Sequence, residues 1–194
     1  NYLQPEMPPG VEENIIKGMY RLKSSTIKGK PKVQLLGGGT ILREVEAAAE
    51  ILESDYSVAA DIWSLTSVNE LHREGKSVVR WNMLHPNETA KIPYVTEQLR
   101  EESGPVIAAT DYMKSYAEQL REFVPAQYVV LGTDGFGRSD TREKLRKFFE
   151  VSREYVVIAT LKALADEGTI EVGVVAQAMQ ALGVSADKVD PTTV

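Results

Sequence analysis

Hydrophobic residues recur along the chain in two rhythms. Three short apolar runs rich in β-branched residues end in turn signals and predict strands: Val33-Gln34-Leu35-Leu36, Val106-Ile107-Ala108-Ala109-Thr110 and Tyr128-Val129-Val130-Leu131. A fourth, Ser57 to Leu65, is interrupted by Asp61 but alternates well after it. Helical patterns lie between them. After Thr40, Ile41, Leu42, Val45, Ala48, Ala49 and Leu52 share one face, and Arg43, Glu46, Glu50 and Glu53 the other. The stretches Tyr155 to Ala165 and Val172 to Leu182 are apolar enough to pack on a sheet, with Gly168 and Gly183 marking helix ends. Residues 11–21 read as a short helix, acidic in its first turn and basic near its end, the arrangement the helix dipole favours. Strands alternating with helices at this spacing imply a largely parallel sheet covered on both faces, a three-layer α/β/α sandwich.

Composition narrows the function classes. At 194 residues the chain suits one domain with one core, and 43% hydrophobic with 26% charged residues is a globular balance. No apolar run is long enough to span a bilayer, and a formal charge of -6 opposes nonspecific binding to nucleic acid, so neither a membrane nor nucleic acid is expected as a partner. With no cysteine there is no disulfide, thiolate nucleophile or cysteine metal site, and a cytoplasmic location is expected. Asn1 stands where an initiator Met would, and Tyr2 to Gly10 reads as an extended, proline-set connector, so a domain boundary just upstream is expected. The expected organisation is a connector and lead-in helix over residues 1–30 and an α/β domain over 31–194, with a polar, partly ordered end from Asp187.

The stretch from Gly132 to Phe149 holds the most specific signal. Gly132, Gly135 and Gly137 imply a backbone that bends sharply or approaches a neighbour closely, Asp134 and Arg138 place opposite charges in the loop, and Asp140 is positioned to cap the next helix. The helix Arg142-Glu143-Lys144-Leu145-Arg146-Lys147 carries four basic residues and is read as solvated or paired between domains. Gly37-Gly38-Gly39-Thr40 follows a strand and opens a helix, where backbone N–H groups can receive an anion. Leu42 takes the place of the last glycine of the dinucleotide fingerprint, and no Gly-Lys-Ser/Thr follows, so a strand-to-helix turn is the better reading. His72 is read on a solvated helix face and His85 as bonding a neighbouring segment; two histidines without cysteine do not make a zinc site. Asp111, Asp134 and Asp140 stand beside turns or helix starts and are read as caps.

Taken with Ala109-Thr110-Asp111-Tyr112-Met113-Lys114 and Arg80-Trp81-Asn82-Met83-Leu84-His85-Pro86, the glycine loop resembles the carboxyl-terminal part of the homodimeric, thiamine diphosphate-dependent pyruvate dehydrogenase components of bacterial complexes. The resemblance runs over the whole chain. It implies a transketolase carboxyl-terminal-like fold whose five-stranded sheet has one antiparallel edge strand. It also implies that thiamine diphosphate, magnesium and the catalytic histidines belong to upstream domains; no Gly-Asp-Gly followed by Asn-Asn occurs here, so no catalytic, cofactor or metal residue is carried over. The implied partners are the chain's own upstream domains, a second copy in a homodimer, and the dihydrolipoamide acetyltransferase core. Candidate interface residues are Asp134, Phe136, Arg138, Ser139 and His85. Two other readings stand beside this one: a nucleotide-binding α/β protein using the Gly37 loop, and a binding module for the acyltransferase core.

Overall fold

The computed structural model describes residues 6–194. Five strands, β1 (Met19–Lys23), β2 (Lys32–Gly38), β3 (Ala59–Leu65), β4 (Val106–Ala109) and β5 (Tyr128–Leu131), form one sheet in the order β1-β3-β2-β4-β5. Only β1 is antiparallel, running against β3 at one edge. The helices are α1 (Glu12–Lys17), α2 (Leu42–Tyr56), α3 (Val68–Leu84), α4 (Tyr94–Leu99), α5 (Lys114–Glu118), α6 (Arg142–Phe148), α7 (Arg153–Asp166) and α8 (Val172–Ala181).

Side-chain alternation along each strand divides the core into two layers. Val33, Leu35, Ala60, Ile62 and Ile107 point toward α2, α7 and α8, while Leu36, Trp63, Leu65 and Ala108 point toward α3, α4 and α5. The three-layer sandwich read from the sequence and the antiparallel edge implied by the resemblance are both present.

The lead-in differs from its reading as one helix over 11–21. Helix α1 stops at Gly18, whose φ of 111° is left-handed, and the chain turns directly into the edge strand. Met19 is fully buried opposite Leu65, so the burial of one methionine beyond the glycine makes a strand of residues whose charge pattern suggested a helix end. His72 is likewise half-buried rather than solvated: its Nδ1 lies 3.0 Å from the Gln119 carbonyl oxygen and its ring packs near Phe123.

Asp61, the polar break in the fourth apolar run, is buried within the sheet. Its Oδ1 accepts from the Ser25 backbone N–H at 2.9 Å and its Oδ2 stands 2.7 Å from Lys32 Nζ. Glu102 pairs with both Lys32 and Arg21, and the Arg21 guanidinium lies over the Trp63 ring. Burial would depress the Lys32 ammonium, but its hydrogen bonds to Asp61 and Glu102 and their charges prevail and raise it. Gln34 completes this polar end by accepting from Trp63 Nε1 at 2.8 Å.

Removing the carboxylate of Asp61 therefore leaves the Ser25 N–H without its acceptor and the Lys32 ammonium with Glu102 alone. Asp61→Ala is expected to cost about 3 kcal/mol, whereas Asp166→Asn, at an exposed i,i+4 pair with Lys162, should stay within about 0.5 kcal/mol of the parent; urea unfolding at pH 7 measures both.

Candidate functional site

Three loops meet at the carboxyl ends of β2, β4 and β5, beside the point where successive strands begin to be added on the other side of β2. In open α/β sheets this is where ligand crevices form, because neighbouring loops there diverge to opposite faces. The Gly37–Thr40 loop makes the expected turn into α2, and the Thr40 hydroxyl donates to Asp111 Oδ2 at 3.3 Å. The β4 and β5 loops are tied to each other: Thr133 donates its N–H to the Tyr112 carbonyl at 2.9 Å and its hydroxyl to the Asp111 carbonyl at 2.8 Å.

Within the loop after β5, Gly135 holds a φ of 109°, and a Cβ there would come within 2.3 Å of the Pro191 carbonyl oxygen, so the position requires glycine. Gly137 has no such constraint. Asp134 is half-buried and accepts the Lys114 N–H at 2.9 Å, capping α5 from another loop. Asp140 is not the cap of α6, contrary to the sequence reading. The chain stays extended for one more residue, so Thr141 is the N-cap and accepts from the Lys144 N–H, while Asp140 accepts from the Thr141 N–H.

Helix α6 roofs the crevice. None of its residues is fully buried, so propensity and surface contact alone would hold a seven-residue helix poorly. Its anchor is Glu44, which is 5% exposed on the apolar stripe of α2. Glu44 accepts from Arg146 at 2.7 Å and from the Arg153 backbone N–H and Nε at 3.1 and 3.0 Å. Burial pushes the Glu44 carboxyl up, but the Arg153 hydrogen bonds, side chain and backbone, and the charges of both arginines outweigh it and hold the group below its usual range. The basic helix is thus paired partly inside the domain. The sequence reading missed Glu44, although its spacing from Ile41 and Ala48 puts it on the buried side of the stripe.

Under this roof lies a cleft of about 410 Å³, lined by Thr40, Asp111, Arg138, Arg142, Leu145 and Phe149 among others. Arg138 lies over the Phe148 ring, its guanidinium carbon 4.3 Å from the centroid. Phe136 is 78% exposed and Ser139 is also exposed, so the outer side of the loop carries two of the candidate interface residues. His85 is elsewhere, at the far end of the 17-residue α3. That is about 25 Å along the helix from the end of β3. Its Nδ1 lies 2.8 Å from the Trp81 carbonyl of its own helix and its ring stacks on Trp81 at 4.3 Å, so it caps α3 rather than bonding a neighbouring segment.

Residues 18–152 match the family model described as the transketolase-like TK C-terminal domain. The chain belongs to this family. The match begins at Gly18 and so takes in the antiparallel edge strand. The transketolase-like domain is 58% identical over 192 residues to the pyruvate dehydrogenase E1 component of Pseudomonas aeruginosa, covering 98% of this chain and 22% of that one. It is 54% identical over 195 residues to the pyruvate dehydrogenase E1 component of Cupriavidus necator, covering 100% and 22%. It therefore spans about a fifth of the length of these curated relatives. Among solved structures, a split-gene transketolase described as an inactive beta4 tetramer superposes with a TM-score of 0.53 at 20% identity, over 77% of this chain and 43% of that one, which shows the shared fold.

Among the described residues of this transketolase-like domain, no three His, Asp or Glu side chains come together to hold a metal ion. No helix among them is long and apolar enough to cross a membrane.

Glu44→Gln removes the one carboxylate that two arginines share and is expected to cost about 2–3 kcal/mol at pH 7. Because the folded-state pKa of Glu44 is depressed, its contribution is present above the ordinary value near 4.5 and is lost as pH falls through the lower folded value. Urea titrations from pH 7 to pH 3 should show a constant gap between parent and variant that narrows only below about pH 4.5.

Proposed function

We propose that the chain is the carboxyl-terminal domain of a pyruvate dehydrogenase E1 component. In that enzyme pyruvate is oxidatively decarboxylated on thiamine diphosphate, with magnesium, and acetyl passes to the lipoyl group of a dihydrolipoamide acetyltransferase in the cytoplasm. The observation that carries this reading is identity of 58% and 54% to two E1 components across 98% and 100% of the chain. Chemistry is assigned to the remainder of the enzyme, the roughly four-fifths of the relatives' length that this chain does not span.

The domain's own work is to brace the other domains and the homodimer. Asp134 fixes the loop from inside by capping α5, and Phe136 and Ser139 are exposed on that loop. Tyr112 and Met113, 60% and 59% exposed on the adjoining β4 loop, extend the apolar surface around Phe136. Aromatic side chains of this kind dominate the energy of interfaces once desolvated. His85, with Met83 and Leu84 exposed beside it, makes a separate second contact patch.

A hybrid in which this chain replaces the matching segment of the Pseudomonas aeruginosa E1 component tests the assignment. The hybrid should reduce a dye acceptor with pyruvate, while the enzyme lacking the segment should not. Phe136→Ala in the hybrid should weaken self-association by about tenfold, equivalent to about 1.4 kcal/mol, without lowering the melting temperature of the 194-residue chain. A hybrid that dimerises and takes up thiamine diphosphate yet leaves pyruvate untouched would contradict the proposal.

A further inference from the structure

The inward side of the same loop presents a different kind of surface. The exposed Arg138 guanidinium sits over the Phe148 ring, 4.3 Å from its centroid, a cation–π contact. Among the described residues, Phe148 is its one partner, and no carboxylate pairs with it. A guanidinium that lines a cleft without a carboxylate partner can take an oxyanion in bidentate fashion. Arg142, on the first turn of α6, adds positive charge to the same wall.

The rest of the cleft is not basic. Across from Arg138 stands Asp111, exposed, its Oδ2 engaged only by the Thr40 hydroxyl at a long 3.3 Å, so it retains acceptor capacity for a ligand's hydroxyls. The floor and roof are apolar: Ile41 and Val151 are buried, and Leu145 and Phe149 are half-buried. The volume, about 410 Å³, lies in the range of small-molecule sites, about 300–1,000 Å³. One wall thus suits a phosphate, one a diol and one a flat apolar ring, and the three lie at the strand ends where α/β sheets bind nucleotides.

We infer that this cleft binds a ribonucleoside monophosphate, with the phosphate on Arg138, the ribose hydroxyls on Asp111 and the base against Phe149. The inference goes beyond the bracing role and does not depend on it, because the site is complete within the 194 residues.

Isothermal titration of the 194-residue chain with adenosine monophosphate at constant ionic strength is the test. One saturable site with a Kd below about 1 mM is expected, with adenosine and inorganic phosphate each at least about tenfold weaker. Arg138→Gln should weaken binding at least about tenfold, since a charge-assisted pair is lost, and Arg138→Lys should fall between it and the parent. Asp111→Asn should abolish the preference for adenosine monophosphate over its 2′-deoxy analogue. Circular dichroism melts establish that each variant is folded. Amide shift mapping on the parent protein should place the perturbed signals at Thr40, Asp111 and Gly135–Arg138. Absence of saturable binding, adenosine binding as tightly as the phosphate, unchanged affinity in both Arg138 variants, or shifts confined to other surfaces would each overturn the site.

Discussion

A carboxylate buried on the apolar stripe of a helix is stable only if donors reach it, and Glu44 is reached from two later elements at once. Taking such a group out of water costs several kcal/mol before any pairing. Arg146 of α6 and the side chain and backbone N–H of Arg153 at the start of α7 offset that cost. The consequence is geometric as much as energetic. A helix without a fully buried residue is set against α2, which in turn fixes Leu145 and Phe149 over the cleft and Phe148 beneath Arg138.

The sheet supplies the frame on which that joint acts. Strand β2 is paired in parallel on both sides, and its two faces feed two separate apolar layers. Charge is admitted at the opposite end of the sheet through Asp61, Lys32, Glu102 and Arg21, which form ion pairs with one another. The carboxyl ends, by contrast, carry loops with a left-handed glycine, a capping aspartate borrowed from a neighbouring loop, and a guanidinium paired only with an aromatic ring. Polar groups at the first end are spent on the fold; several at the second remain available to a ligand or a neighbouring domain.

Much of this was legible in the sequence because it is local. The apolar runs at 33–36, 106–110 and 128–131 lie on strands, and the stripe from Ile41 to Leu52 lies on α2, since periodicity records burial directly. Edge strand β1 was hidden because Arg21 and Lys23 mimic the basic end of a helix, although Met19 is buried, Leu22 packs on the core and Arg21 lies over Trp63. The cap of α6 was displaced by one residue because Asp140 and Thr141 are both competent caps. What could not be read were the pairings of Glu44 with Arg146 and Arg153, 102 and 109 positions away, and which ring near in sequence Arg138 would cover. For the candidate site, the sequence located the loop but not which of its side chains face inward.

Hydrogen exchange on the parent chain and the Glu44→Gln variant, under conditions where both are folded, tests most directly whether one buried carboxylate holds the roof of the cleft. The account predicts that amides of α6 and of the loop from Gly135 to Asp140 lose protection while those of β2 and β3 keep it, because local opening then follows the joint rather than the sheet. Unchanged protection in α6, or an equal loss throughout the sheet, would contradict it.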